Sequence, residues 1–81
     1  MDIYELVNKY NHVFYKAARL FFTTDEDIAP VLERSLTQTF KELINVKSEH
    51  EFLYWTLRII LLNCIKQKEH FSKDFNKKLR F

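Results

Sequence analysis

The chain of 81 residues contains no glycine and only one proline, and this shortage restricts its fold more than any other feature of the sequence. Glycine supplies the left-handed conformations of tight hairpins, and glycine and proline together dominate short turns. A fold with many turns is therefore disfavoured. We predict a single all-α domain, a small bundle of three long helices with a possible short C-terminal helix. The same shortage excludes the glycine-rich nucleotide-binding loops of kinases, NTPases and dehydrogenases.

Two N-terminal stretches carry apolar residues at helical spacing. In the first, they are Ile3, Leu6, Val7, Tyr10, Val13, Phe14, Ala17, Ala18 and Phe21. Residues 23–27 then offer several capping side chains, so we expect the second helix to start there. Pro30 would fall in its first turn, where the N–H that proline lacks has no intrahelical acceptor. The inward stripe of this helix is predicted to be Ile28, Val31, Leu32, Leu36, Phe40 and Leu43.

A third helix is predicted to follow the short, strained-looking joint at residues 44–47. Ser48 and Glu51 form a capping-box pattern, and we expect the helix to begin near Glu49 and to run to about Glu69. The basic tail, residues 70–81, either forms a short helix that packs its phenylalanines back or stays loose. Between residues 52 and 65 only Thr56, Arg58 and Asn63 are polar. This is too apolar for a helix with one fully wetted face, so part of it should meet something besides its own core.

Charge and aromatic residues in the third helix suggest a polyanion as one partner. Residues 1–57 hold six basic and nine acidic side chains, whereas residues 58–81 hold seven and two, giving charges of −3 and +5. Tyr54 and Trp55 point about 100° apart, so one can be exposed and could stack on an unpaired base. For Trp55 alone, packing in the core is favoured. Arg58, Lys66 and Lys68 could follow a phosphate backbone with the tail cations, although a solvated tail accounts for the charge equally well.

The sequence offers no constellation for catalysis or for a metal. The three histidines are distant in sequence and are interpreted as surface residues, and Cys64 is interpreted as a small buried hydrophobe. The carboxylates of residues 25–27 are explained by helix capping and the helix dipole. We therefore expect no enzyme, no cofactor and no metal site. With no secretory leader and one unpaired thiol, a cytoplasmic location without membrane contact is expected.

The order of these elements resembles region 2 of the bacterial sigma-70 family, especially extracytoplasmic-function sigma factors. The similar stretches are FYKAARLFFTTDEDIAPVLERSLTQTF, with its acidic turn between paired helices, and the more specific EFLYWTLRIILLNCIK. Within the second, Phe52, Trp55, Arg58 and Ile59 stand at the family's spacing, whereas Asn63 lies one position later than the usual asparagine.

The resemblance implies a transcription-initiation subunit that binds core RNA polymerase at the beta-prime clamp helices and helps to recognise and melt the promoter −10 element. The polymerase-binding residues would be Glu33, Arg34, Thr37, Gln38 and Lys41. The DNA-binding residues would be Asn45, Lys47, His50, Tyr54, Trp55, Arg58, Lys66 and Lys68. Ala29, Pro30 and Glu33 replace the family's usual Glu-Asp pair and glutamine, so clamp binding is expected to be weaker or differently tuned. The usual glycine and arginine of the base-pocketing joint are also missing.

The chain has no counterpart of the helix-turn-helix with which the family reads the −35 element. By this resemblance, we expect the chain to be either a fragment or one half of a split sigma factor whose separate partner polypeptide carries that reader. The initiating methionine and capped first helix favour a natural small protein. The alternative function is a protein-interaction module, a decoy or co-regulator that occupies polymerase or a sigma partner without touching DNA. The altered second-helix surface and the apolar excess of the third helix motivate it.

Overall fold

The computed structural model describes residues 2–43 and 45–78, with side chains described through residue 70. Three helices are present in this part of the chain: α1 (Ile3–Arg19), α2 (Asp25–Glu42) and α3 (Glu49–Lys78). Each helix packs against both of the others. The predicted small all-α bundle is confirmed. No helix in the described residues is both long enough and apolar enough to cross a membrane.

Side-chain caps fix where each helix begins. The Asp2 carboxylate accepts the Tyr4 N–H at 2.9 Å, and the Thr24 hydroxyl accepts the Asp27 N–H at 3.4 Å. Ser48 accepts the Glu51 N–H at 3.1 Å, which is half of the predicted capping box. The other half is displaced by one residue, because the Glu51 carboxylate accepts the N–H of Lys47, at 3.3 Å.

The first connection explains how this chain turns without glycine. At the end of α1, Leu20 stays right-handed, with φ −65° and ψ −23°, and its N–H donates to the carbonyls of Ala17 and Ala18. The next two residues, Phe21 and Phe22, also donate to the carbonyl of Ala18. The last turn of α1 is thus closed by short-range hydrogen bonds between right-handed residues, and no left-handed residue is needed to end the helix. Across the described residues no φ is positive, and this includes residues 45–47 of the strained-looking joint before α3.

The core lies where the three helices meet. Phe14 of α1 and Phe52 of α3 are fully buried and touch edge to face, with ring centroids 5.9 Å apart. Ile28 of α2 and Ile60 of α3 are fully buried beside them. Because these side chains come from all three helices, the bundle has a single apolar centre that holds the outer faces in fixed positions.

The predicted inward stripe of α2 is confirmed except at Phe40: Ile28 and Val31 are buried, and Leu32, Leu36 and Leu43 are partly buried against the core. Ser35 and Thr39 are fully buried, whereas Phe40 is 37% exposed and packs against Tyr4 at the surface, with centroids 5.5 Å apart. Small side chains let α2 approach α3 closely. Their hydroxyls donate to carbonyls four residues earlier, from Ser35 to Val31 at 2.7 Å and from Thr39 to Ser35 at 3.0 Å, so both can be buried.

Pro30 does not lie in the first turn of α2, contrary to the sequence prediction. Helix α2 begins at Asp25, so Pro30 is its sixth residue and lies in the second turn. There the missing N–H would have donated to the carbonyl of Glu26, four residues earlier. Since Pro30 is exposed, that carbonyl has access to water. Proline therefore weakens α2 near its start.

The predicted end of α3 near Glu69 is also wrong. The helix continues without a break to Lys78, and the possible separate C-terminal helix is part of it. No glycine or proline follows Glu69, so no residue forces the helix to stop. Whether the phenylalanine side chains of the tail pack back lies outside the described residues.

Candidate nucleic-acid interface and the groove on α2

One face of α3 points away from the other two helices. We call it the outer face; its members are Tyr54, Trp55, Arg58, Leu61, Leu62, Ile65, Lys66 and Lys68, and all are exposed except the half-buried Leu61. Steps of three and four residues place them on one side of the helix. From residue 52 to residue 68 the sequence contains no carboxylate. The outer face is therefore apolar and positively charged.

The N-terminal half of the outer face holds a cluster of aromatic and cationic groups. Tyr54 is 53% exposed and Trp55 is 41% exposed, so the expectation that Trp55 packs in the core is wrong. Their rings meet edge to face at 5.5 Å, and the guanidinium of Arg58 lies 5.5 Å from the Trp55 ring centre. A cation over an indole is a favourable arrangement that also orients the ring. The cluster presents an open aromatic surface beside a positive charge.

The two lysines of the outer face lie on different edges of α3. Lys66 is exposed and lies three turns after Trp55, about 16 Å along the helix axis. The ammonium of Lys68 lies 5.1 Å from the ring centre of Phe22, which follows α1. The structure therefore aligns Trp55 and Lys66 but directs Lys68 toward the α1–α2 turn.

Three predicted DNA-binding residues are exposed at the start of α3: Asn45 and Lys47 in the joint, and His50 in the first turn of the helix. Next to them, the Glu49 carboxylate accepts the Tyr10 hydroxyl at 2.6 Å and the Lys9 ammonium at 2.9 Å. These two hydrogen bonds lower the pKa of Glu49, and the bond to Glu49 raises the pKa of Tyr10 and of Lys9. This contact ties α1 to the first residue of α3 and so fixes one end of the joint.

A surface groove of about 420 Å³ runs along α2. Its lining consists of Pro30, Glu33, Arg34, Thr37, Gln38 and Lys41, so the structure brings all five predicted polymerase-binding residues together. Both acidic and basic side chains line the groove, namely Glu33, Arg34 and Lys41. A partner element with paired acidic and basic groups would be complementary to it.

A buried polar contact links the groove to α3. Asn63 of α3 donates its amide N–H to the Ser35 hydroxyl at 2.9 Å and to the side-chain oxygen of Gln38 at 3.4 Å. Gln38 also donates to Glu42 at 3.1 Å. Asn63 is buried, so its hydrogen bonds offset the cost of removing an amide from water. Asn63 therefore belongs to the helix interface and not to the outer face.

The thiol of Cys64 lies in the core of the bundle. Cys64 is fully buried, as predicted, and burial raises its pKa, which disfavours the reactive thiolate. The three histidines are exposed, as predicted. Among the residues whose side chains are described, no three of His, Cys, Asp and Glu are grouped so that they could hold a metal ion.

The fold and these two surfaces define a small helical bundle with a cationic, aromatic outer face and a mixed-charge groove. Comparison of the chain with protein-family models, with curated proteins and with solved structures found no match. The resemblance to sigma region 2 therefore rests on the sequence motifs, and a function has to be argued from the surfaces.

Sequence reasoning missed the extent of the exposed aliphatic surface. Leu62 is 48% exposed and Ile65 is 43% exposed, and Tyr54, Leu57, Arg58, Leu61 and Leu62 line a groove of about 450 Å³. The apolar excess of α3 indicated that part of the helix surface would be exposed, but it did not indicate which residues would form that surface.

Proposed function

We propose that this protein acts in the cytoplasm in transcription initiation, as a sigma region-2-like subunit that binds core RNA polymerase and helps to melt the promoter −10 element. In this proposal a second polypeptide with a region-4-like helix-turn-helix reads the −35 element. The resemblance of the sequence motifs suggests the process. The observation that carries the proposal is the cluster of Tyr54, Trp55 and Arg58, exposed on a helix face without carboxylates.

The outer face suits a single DNA strand better than a duplex. An unpaired base has two open faces, and stacking one base on an aromatic ring is worth about 1–3 kcal/mol. Arg58 lies close enough to Trp55 to contact the phosphate of a base stacked there. Lys66 continues the positive charge along the same edge, in the direction that a strand would follow.

The joint would contact the same strand beyond the aromatic cluster. His50 precedes Tyr54 by one helical turn, and Asn45 and Lys47 are exposed just before it. An asparagine amide can both donate to and accept from a base edge, and Lys47 can neutralise a phosphate. The contact between Glu49 and Tyr10 would hold these groups in place when the strand binds.

The groove on α2 would receive the polymerase. In the resembled family the clamp element is helical, and a helix presents charged residues at steps of three and four that can meet Glu33, Arg34 and Lys41. Pro30 lines one part of this groove where the family has a charged residue. This difference supports a weaker or altered clamp contact.

Strand binding can be tested with the full chain and a labelled single-stranded oligonucleotide of mixed sequence, by fluorescence anisotropy over a salt series. Trp55→Ala should weaken binding about five- to 150-fold, the equivalent of losing one stacked base. Arg58→Ala should also reduce the slope of log affinity against log salt by about 0.7, since one phosphate contact is lost. Arg19→Ala is the matched control, because the exposed Arg19 also lies over an aromatic ring, that of the half-buried Tyr15 on α1. Equal effects of the two arginine substitutions, or an affinity independent of salt, would contradict strand binding by the outer face.

Polymerase binding can be tested separately, by co-purification with core RNA polymerase. Lys41→Glu reverses a charge in the groove on α2 and should reduce recovery. Lys16→Glu reverses an exposed charge on α1 and should leave recovery unchanged. If both variants bind as the parent does, the groove on α2 is not the polymerase-facing surface.

The alternative is a protein-interaction module that occupies polymerase or a sigma partner without contacting DNA. The exposed Leu62 and Ile65 favour it, because aliphatic side chains neither stack on bases nor neutralise phosphates. It predicts recovery of polymerase in the co-purification together with no binding in the oligonucleotide assay. Oligonucleotide binding that depends on Trp55 would refute it.

A further inference from the structure

The C-terminal half of the outer face is an aliphatic surface that strand binding does not explain. Leu62 and Ile65 are nearly half exposed, and Leu62 lines a groove together with Leu57, Leu61, Tyr54 and Arg58. Large aliphatic side chains grouped on one face of so small a protein are unusual, and such patches mark interaction sites. This surface needs an apolar partner.

The shape of the surface fits a helix. Leu57, Leu61 and Ile65 follow one another in steps of four, which makes a straight row about 12 Å long, a little more than two turns of α3. An amphipathic helix places apolar residues at the same steps, so its ridge can lie along this row.

The charge of the surface selects among possible helices. Arg58 and Lys66 border the row, whereas Lys68 lies toward Phe22. Residues 52–68 contain no carboxylate, and Glu69, the first one beyond them, lies one turn after Ile65 at the end of the row. A second copy of this chain would bring Arg58 and Lys66 against the same two cations, which is unfavourable. An acidic partner would pair with both of them.

We infer that the aliphatic row of α3 binds an amphipathic helix of a partner protein, whose apolar stripe is flanked by aspartate or glutamate. The partner helix lies along the row of Leu57, Leu61 and Ile65, with Leu62 beside it, and its carboxylates face Arg58 and Lys66. This inference does not depend on DNA binding. It assigns to the aliphatic side chains a ligand different from the strand that the aromatic half would bind, and the two ligands would compete for Arg58 and Lys66, which border both.

The test uses the full chain and two designed peptides of about 18 residues, or five helical turns. Both carry leucines at steps of three and four; the remaining positions are mainly glutamate in one and lysine in the other. Binding is measured by titration, and its location by NMR of the leucine and isoleucine methyl groups. The glutamate peptide should bind at least tenfold more tightly, with shifts at Leu61, Leu62 and Ile65.

Alanine variants locate the site. Leu62→Ala and Ile65→Ala should each weaken binding of the glutamate peptide by about tenfold, because each removes much of one buried side chain. Leu20→Ala is the matched control, since Leu20 is 80% exposed and lies outside the groove. The surface variants should leave oligonucleotide affinity unchanged, whereas Trp55→Ala should weaken it. Failure of one proposal is thus distinguishable from failure of the other.

Four results would overturn the inference. The first is equal affinity of the chain for the glutamate and lysine peptides, and the second is a loss of peptide affinity in Leu20→Ala as large as in the surface variants. The third is displacement of the glutamate peptide by an oligonucleotide that shifts the same methyl signals. The fourth is a shift of those methyl signals with protein concentration when no peptide is present. The third result would make the whole outer face a nucleic-acid surface. The fourth would make a second copy of the chain the occupant.

Discussion

Thr56 contains the one polar side-chain atom, among the described residues, that is buried without a hydrogen-bond partner. Its hydroxyl oxygen is fully enclosed and neither donates nor accepts. Ser35 and Thr39 are buried to the same extent, but each donates to the carbonyl four residues earlier. Valine has nearly the shape of threonine and lacks the hydroxyl. We predict that Thr56→Val stabilises the protein and that the same substitution at Thr39 does not.

The expected size follows from these contacts. An unpaired buried hydroxyl costs about 1–3 kcal/mol, and Thr56→Val removes that cost without opening a cavity. Thr39→Val loses a hydrogen bond worth about 0.5–1.5 kcal/mol and recovers part of that by burying a methyl group. We therefore expect Thr56→Val to raise the free energy of unfolding by about 1–2 kcal/mol. Thr39→Val should leave it unchanged or lower it by up to about 1 kcal/mol.

Urea unfolding followed by circular dichroism measures both free energies, and thermal unfolding supplies a second estimate. For a domain of this size, 1 kcal/mol corresponds to a shift of about 4–8 °C in Tm. The m-value should stay the same in all three proteins, because the surface exposed on unfolding does not change. If Thr56→Val is destabilising, or if the two variants shift stability equally, the buried hydroxyl of Thr56 is satisfied in solution and the reasoning fails.

Two further predictions concern α2 and the contact between α1 and α3. Pro30→Ala should stabilise the protein by up to about 2 kcal/mol, because it restores an N–H donor for the Glu26 carbonyl. The opposing loss is smaller, since proline only restricts the unfolded chain. A lower free energy of unfolding in urea would contradict this prediction. The pKa of Glu49 is lowered in the folded protein, so its contribution to stability is complete above its ordinary pKa of about 4.5 and is lost as the pH falls through the folded value. Glu49→Gln should therefore be less stable than the parent at neutral pH and should lose less stability on acidification; parallel pH profiles would show that the contacts with Tyr10 and Lys9 do not form in solution.

The positions of the helix starts could be predicted because they depend on local chemistry. Thr24 and Ser48 cap their helices with their own side chains, and a capping side chain bonds only to residues two or three positions away. The end of α3 could not be predicted in the same way. Phenylalanines alternating with lysines in the basic tail fit either a separate short helix or a loose segment, but such a pattern does not stop a helix when no glycine or proline is present.

The candidate site was harder to predict because exposure depends on packing and not on residue type. Hydrophobicity favoured Phe40 and Trp55 as core residues, yet the small Ser35 and Thr39 occupy the α2–α3 contact and leave Phe40 at the surface. A close approach of two helices selects for small side chains, and the spacing of large apolar residues alone does not reveal it. The groove on α2 was easier to predict, since its residues share one helix face and follow from helical spacing.

The buried contact of Asn63 with Ser35 connects the two candidate surfaces. An apolar pair at this position would be at least as stabilising, but it would tolerate a sliding of α3 along α2. A slip by one turn would separate Asn63 from Ser35 and leave a buried amide unpaired, at a cost of about 1–3 kcal/mol. The polar contact therefore favours one alignment of the two helices. In that alignment the groove on α2 and the outer face of α3 keep a fixed spacing, which a protein that binds one partner with each surface requires.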